Sequence, residues 1–102
     1  MEKAWLKSYP NGVPAEIDIN EFKSIGQLFE RSVKTFRDRV AYTNMGKSIT
    51  YGELDGLTRD FGAYLQSLGL AKGARVAVMM PNLLQDPVCI YAILRAGFTV
   101  VN

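Results

Sequence analysis

Few side chains in this sequence have the chemistry of catalysis. The chain has no histidine and a single cysteine, which excludes a Ser-His-Asp triad, a Cys-His dyad and a histidine-ligated metal site. Cys89 lies in an apolar run with no lysine or arginine beside it, so we expect a buried thiol of low reactivity. Glu53 and Asp60 are spaced to share one face of a helix, but surface acids of this kind are usually solvated, and Glu53 already has a role in helix capping.

A phosphate-binding loop is missing from the place where an α/β protein would carry it. The loop after the strand predicted at residues 75–80 contains neither glycine nor lysine, and the dinucleotide and Walker glycine patterns occur nowhere in the sequence. Gly69 and Gly73 follow a predicted helix, whose termination explains them. We therefore expect no catalytic, cofactor-binding or metal-binding residue within residues 1–102, and no cofactor bound to this segment.

The composition is that of a soluble globular protein. The 102 residues are 48% hydrophobic and 22% charged, with a net charge of +2, which indicates no nucleic-acid partner. Prolines and polar side chains interrupt the apolar stretch at residues 76–101, and the N-terminus lacks a signal peptide. With one cysteine, these features predict a cytoplasmic protein without disulfides. A chain of this length is expected to have a radius of gyration of about 13 Å.

The sequence divides into two regions. Residues 1–22 are predicted to form an irregular N-terminal arm, because prolines and an Asn-Gly pair interrupt any helical or strand period. We expect Trp5, Leu6 and Tyr9 to tie this arm to the body. Residues 23–102 are predicted to form a partial α/β subdomain. The chain stops within its last predicted strand, which we take as a sign of truncation.

A first helix is predicted over residues 24–37. Ser24 and Gln27 have the spacing of a capping box, and Glu30 and Lys34 are spaced for an ion pair on the outer face. Side chains at helical spacing predict a face that packs in the core. These are Ile25, Leu28, Phe29, Ser32, Val33 and Phe36.

Two β-rich runs around a glycine-containing turn predict a hairpin over residues 40–50. The second run leads into a long helix, which begins with a capping box of Thr50 and Glu53. Asp55 and Arg59 are expected to pair on its outer face. The apolar stripe of this helix is expected to be Leu54, Leu57, Phe61, Leu65 and Leu68. Three glycines within the helix are expected to mark close packing: Gly52, Gly56 and Gly62.

The C-terminal part predicts a βαβ unit. The strand at residues 75–80 is apolar without alternation, which is typical of a central strand covered on both faces. A helix follows over residues 84–96, capped by Asn82 or by Asp86, and a second apolar strand is expected at residues 98–101. Strand, helix and strand in this order predict a right-handed crossover and a parallel pair. The predicted fold class is α/β.

Three segments carry a resemblance to a known family. The start of the long helix, at residues 50–54, resembles its T-Y-x-E-L motif. The strand at residues 72–82 resembles its K-G-D-R-V-A motif with the P-N end, and residues 92–97 resemble the L-R-A-G motif that ends a helix. The family is the AMP-forming acyl-CoA synthetases of the adenylate-forming superfamily. The arm and the residues around Pro81 are similar to bacterial long-chain fatty acid–CoA ligases. Ala74 stands where these relatives usually carry an aspartate. The resemblance implies the N-terminal part of a larger adenylating-enzyme domain.

For a full-length enzyme, the resemblance implies a two-step reaction. Fatty acid and ATP give an acyl-adenylate and pyrophosphate, and coenzyme A then displaces AMP to form the thioester. The resemblance implies ATP, Mg²⁺ and CoA as cofactors, and fatty acid and CoA as substrates. It also implies that the full-length enzyme contacts the inner membrane peripherally. The family's motifs for this chemistry have no match here and are implied to follow Asn102. We therefore expect the segment to be inactive on its own.

The residues are also compatible with two other functions. A freestanding, non-catalytic α/β interaction module predicts a soluble monomer, and a small nucleotide-binding protein predicts measurable affinity for ATP. As the N-terminal segment of a ligase, the chain would instead have the remainder of the same polypeptide as its partner. Its apolar strands would then lack neighbours in isolation, which predicts self-association or a domain-swapped dimer.

Overall fold

The computed structural model describes residues 2–102 as three α-helices and two small sheets. In chain order the elements are a 3₁₀-helix (Ala4–Ser8), α1 (Ile25–Thr35), β1 (Val40–Asn44), β2 (Lys47–Thr50), α2 (Tyr51–Ser67), β3 (Arg75–Ala77), α3 (Gln85–Arg95) and β4 (Thr99–Val101). Strands β1 and β2 pair antiparallel, and β3 and β4 pair in parallel. The α/β class, the hairpin and the parallel pair predicted from the sequence are confirmed. No helix within residues 2–102 is long and apolar enough to cross a membrane.

Side-chain caps start α1 and α2. Ser24 Oγ accepts a hydrogen bond from Gln27 N at 3.0 Å. Gln27 Oε1 accepts one from Lys23 N at 2.7 Å, one residue before the expected partner. Thr50 and Glu53 form a complete capping box, with Glu53 N donating to Thr50 Oγ1 at 3.1 Å and Thr50 N donating to Glu53 Oε2 at 2.9 Å. Each cap contributes about 1 kcal/mol to the stability of its helix.

Helix α3 begins without a side-chain cap, so the expectation of Asn82 or Asp86 as the cap is wrong. Leu84 occupies the N-cap position, and Asp86 lies in the first turn, where its carboxylate interacts favourably with the helix dipole. Backbone turns replace the cap, because Leu83 N donates to Pro81 O at 2.8 Å and Asp86 N donates to Leu83 O at 3.1 Å.

The core consists of two clusters joined by α2. One cluster contains Phe29, Val33, Ile49 and Leu54. The other contains Leu65, Ile93 and Phe98. The buried face of α2 differs from the predicted apolar stripe: Asp55 and Thr58 are buried, whereas Leu57 and Leu68 are about half exposed. The reason is that this face packs against α3, which supplies a polar partner for Asp55.

Close packing explains two of the three glycines in α2. A Cβ atom at Gly62 would lie 3.3 Å from Ala92 O of α3. A Cβ atom at Gly52 would lie 3.0 Å from Arg37 Cγ and 3.1 Å from Arg37 O. At Gly56 no atom lies within 4 Å of the corresponding point, so the expectation of close packing is wrong there.

The large side chains of the N-terminal arm are only partly covered. The 3₁₀-helix at Ala4–Ser8 has no buried residue. Trp5 and Tyr9 are 50% and 40% exposed and Leu6 is half-buried, so the three expected anchors are covered only in part. Arg31 of α1 contacts the end of the arm, since its Nη1 lies 3.0 Å from Glu21 Oε1 and its guanidinium lies 5.0 Å from the centre of the Phe22 ring. The arm lengthens the molecule, and the radius of gyration is 16.8 Å rather than about 13 Å.

The β3–β4 sheet is covered on one face. Val76 and Val78 pack with Phe98 against the helices, while Val101 on the opposite face is 43% exposed and Met79, just after β3, is 98% exposed. Residues 2–102 therefore cover one face of the strand that the sequence predicts to be covered on both. The strand is also shorter than the predicted 75–80, although Val78 N still donates to Val101 O at 2.8 Å.

Candidate functional site

The densest group of charges surrounds Asp55, on the face of α2 that packs against α3. Asp55 is 6% exposed, and its carboxylate accepts hydrogen bonds from three arginines. Arg95 Nη1 donates to Oδ1 at 2.7 Å, Arg37 Nη1 donates to Oδ2 at 3.3 Å, and Arg59 Nη2 donates to Oδ2 at 3.3 Å. We refer to these four residues as the Asp55 cluster. The predicted pairing of Asp55 with Arg59 is confirmed, but the carboxylate is buried and not on the outer face.

Arg95 is the buried partner in this cluster and connects three helices. Its side chain is 15% exposed. Besides the carboxylate, Nη1 donates to Asp55 O at 3.2 Å and to Thr58 Oγ1 at 3.0 Å. The guanidinium lies 5.5 Å from the centre of the Phe29 ring of α1, and its Nε is 4.0 Å from Glu30 Oε1. Arg95 therefore joins α3 to both α1 and α2.

The electrostatics of the cluster suit a structural role. Burial by itself raises the pKa of Asp55, but the hydrogen bonds from Arg95 and Arg37 and the charge of Arg59 outweigh it, so the pKa lies below its ordinary value. Asp55 is consequently ionised at neutral pH and cannot act as a general acid. Because its oxygens are occupied by guanidinium donors, it is also a poor general base. The cluster can tie helices together but has no proton to transfer.

A groove of about 590 Å³ lies between β2, α2 and α3. Its apolar lining consists of Ile49, Leu57, Leu84 and Val88. Glu53 and Asp60, the two acids that the spacing places on one helix face, both line this groove. Glu53 Oε2 is occupied by the capping hydrogen bond from Thr50 N. Lys47 and Ser48 of β2 line the same groove, so it brings the two carboxylates to one surface together with an amine and a hydroxyl.

The remaining sequence candidates lie apart from one another. Cys89 is half-buried on α3, where burial and the nearby Asp86 raise the pKa of its thiol, in agreement with low reactivity. Gly69 and Gly73 have φ of +74° and +79° and terminate α2 and the following turn. Within residues 2–102, no group of three or more cysteine, aspartate or glutamate side chains could hold a metal ion.

Sequence reasoning missed the burial of Asp55, although one signal pointed to it. Arg95 and Asp86 are the only charged residues in positions 76–102. A lone arginine in an apolar helix requires a buried anionic partner. Asp55, on the opposite side of the helix interface, is that partner.

Each segment that carried the family resemblance has a structural place. Residues 50–54 begin α2, residues 72–82 contain β3 and residues 92–97 end α3. The first supplies the capping box and the last supplies Arg95. The first and last segments therefore belong to the helices that carry Asp55 and Arg95, whereas the middle segment packs in the core cluster of Leu65, Ile93 and Phe98.

Comparisons with known proteins agree with this placement. The family described as "AMP-binding enzyme" matches residues 29–102. The chain is 52% identical over its whole length to a long-chain-fatty-acid–CoA ligase of Yersinia pestis and 37% identical over 99% of its length to one of Bacillus subtilis. It spans 18% of the length of each of these relatives. The solved N-terminal subdomain of NpsA from Klebsiella oxytoca superposes with a TM-score of 0.75 at 28% identity, over 79% of this chain and 21% of that chain.

Proposed function

The chain belongs to the family of AMP-binding enzymes, and we propose that it forms the N-terminal part of a long-chain fatty acid–CoA ligase. In this proposal, the whole enzyme converts fatty acid and ATP to an acyl-adenylate and pyrophosphate, and coenzyme A then displaces AMP. The observation that carries the proposal is the 52% identity, over the whole chain, to relatives of that name. Because the chain spans 18% of their length, the activity is proposed for the whole protein.

We assign a scaffolding role to the described residues within that enzyme. The Asp55 cluster joins three helices, and its carboxylate is held by guanidinium donors. The exposed face of the β3–β4 sheet, with Val101 43% exposed and Met79, just after β3, 98% exposed, supports packing against the remainder of the polypeptide. ATP, Mg²⁺ and CoA are accordingly proposed to bind outside this segment. A cytoplasmic location with peripheral membrane contact is part of the same proposal, since long-chain fatty acids partition into membranes.

The test compares the protein encoded by the complete gene with the 102-residue chain. Each is supplied with Mg²⁺-ATP, CoA and a long-chain fatty acid, and acyl-CoA and AMP are measured, with acetate as the control substrate. We expect long-chain acyl-CoA from the complete protein and no product from the 102-residue chain. Absence of acyl-CoA from the complete protein would overturn the proposed activity. Acyl-adenylate formation by the 102-residue chain would overturn the scaffolding role, as would a natural gene that stops after Asn102.

We further propose that the isolated chain self-associates through the exposed face of β3–β4. Light scattering is expected to give a mass above the 11.4 kDa of the monomer. Met79→Lys should return the mass to that of the monomer, because it replaces an exposed apolar side chain just after β3 by a charge. Met45→Lys is the matched control, since Met45 is 94% exposed on the hairpin turn. A monomer for the unmodified chain at high concentration would instead favour a freestanding interaction module.

A further inference from the structure

A second feature of the Asp55 cluster is an excess of positive charge that its single carboxylate does not balance. The cluster opens into a depression of about 330 Å³ between α1 and α2, which we call the basic depression. Its lining contains four cationic and two anionic side chains: Lys34, Arg37, Arg59, Arg95, Glu30 and Asp55. The depression therefore has a formal charge of +2, equal to the net charge of the entire chain.

The backbone holds Arg37 firmly at the edge of this depression. Gly52 N donates to Arg37 O at 2.8 Å, and Tyr51 N donates to Arg39 O at 3.0 Å, so two amides at the start of α2 fix the loop that carries the arginine. The absence of a side chain at Gly52 allows Arg37 Cγ to lie directly against the helix. The backbone that carries Arg37 is thus fixed before a ligand binds, and one contact to Asp55 at 3.3 Å directs its guanidinium toward the depression.

Both outer arginines retain unused donors. A guanidinium has five N–H groups, and in the part of the chain that the structure describes, Arg37 uses Nη1 and Arg59 uses Nη2, each toward Asp55. Their side chains are 60% and 68% exposed, so the remaining N–H groups are accessible to solvent. Asp55 is shared among three arginines, and Glu30 faces Arg95 at 4.0 Å rather than the expected Lys34.

We propose that the basic depression binds an oxyanion of the phosphate class between Arg37, Arg59 and Lys34. Two held guanidinium groups can each present a pair of N–H donors to the tetrahedral oxygens, and a lysine supplies a further point charge. The site is open to solvent, which limits the affinity to the millimolar range for a single phosphate ion. The inference depends on residues of this chain alone and stands independently of the ligase activity.

The experiment titrates the ¹⁵N-labelled 102-residue chain with inorganic phosphate at constant ionic strength, with chloride as the balancing anion. We expect saturable shifts of the amide signals of Lys34, Arg37 and Arg59. Lys34→Gln should weaken binding roughly two- to fivefold, the effect of one exposed charge. Lys72→Gln is the matched control, because Lys72 does not line the depression, and it should leave the affinity unchanged.

A second variant separates the geometry of binding from charge alone. Arg59→Lys keeps the charge and removes the planar donor pair, so we expect it to weaken binding as well, with circular dichroism confirming that the helices remain. Pyrophosphate is titrated in parallel with phosphate. Tighter binding of pyrophosphate would indicate that the site takes the diphosphate group of a larger ligand, and equal binding would indicate a free phosphate ion. The proposal is overturned if phosphate gives no saturable response, or if Lys34→Gln and Lys72→Gln weaken it equally.

Discussion

Replacement of Arg95 by methionine tests whether the Asp55 cluster holds the three helices together. Methionine keeps an apolar stem against Phe29 but removes the guanidinium that donates to the Asp55 carboxylate, to Asp55 O and to Thr58 Oγ1. Removal of one partner from a buried ion pair costs about 3–5 kcal/mol. The other two arginines still contact Asp55, but such exposed contacts contribute at most about 1 kcal/mol each. We therefore expect Arg95→Met to lower the free energy of unfolding by about 2–4 kcal/mol.

Urea unfolding followed by far-ultraviolet circular dichroism measures this loss. Tryptophan fluorescence is unsuitable, because Trp5 is 50% exposed on the arm and reports little of the core. Arg59→Met is the matched control: its side chain is 68% exposed, and we expect a loss below about 1 kcal/mol. Equal losses for Arg95→Met and Arg59→Met would refute the reasoning. We also expect the Asp55→Asn/Arg95→Met double variant to be more stable than Arg95→Met, because it leaves no buried charge without a partner. A double variant that is no more stable would refute the reasoning as well.

The acid dependence of stability gives an independent check on the same cluster. Because the pKa of Asp55 is lowered in the folded state, its contribution is fully present above the unfolded value of about 3.9. That contribution is lost as the pH falls from there through the folded pKa. Asp55→Asn removes this source of acid sensitivity. We expect its stability to fall less steeply than that of the unmodified chain below about pH 4, measured by urea midpoints across that range.

Three further predictions concern local contacts and use the same urea assay or a spectroscopic titration. Gly52→Ala should destabilise the chain by about 1–3 kcal/mol, because its Cβ would press against Arg37 O. Gly56→Ala should stabilise it by up to about 1 kcal/mol, because it gains helix propensity in open space. A Gly52→Ala variant more stable than Gly56→Ala would contradict both predictions. Thr50→Ala should cost about 1 kcal/mol through loss of the capping box, and no loss would show that the cap is dispensable. Partial burial and a hydrogen bond with Tyr91 raise the pKa of Tyr42 to about 12, so the absorbance change above about pH 10 should be smaller in Tyr42→Phe than in the unmodified chain. The stability that this tyrosine contributes is full below about pH 10 and lost as the pH rises through about 12.

The features that the sequence predicts correctly depend on residues close together in the chain. Thr50 and Glu53 are three positions apart, and their capping box forms as expected. Gly69 and Gly97 follow the ends of α2 and α3 with φ of +74° and +89°, a conformation that glycine adopts without strain. Such signals are visible in sequence because each interaction is completed within a few residues.

The orientation of α2 could not be predicted in the same way. The hydrophobic pattern of α2 predicts that Leu57 is buried and Asp55 is exposed. In the structure Leu57 is 48% exposed and Asp55 is 6% exposed. The partner that makes Asp55 favourable inside, Arg95, lies 40 positions further along the chain. Whether a charged side chain can be buried depends on that distant partner. The hydrophobic periodicity of a single helix carries no information about it.

The residues that identify the family in this segment are therefore those required to build the scaffold. Within residues 92–97, Arg95 supplies donors to a carboxylate, a carbonyl and a hydroxyl on α2, which a lysine could not do with the same planar geometry. Gly97, in the same motif, holds a positive φ that leads α3 into β4. Each residue type is demanded by packing or backbone conformation, without reference to a substrate. Similarity to a ligase in this segment consequently indicates a shared fold.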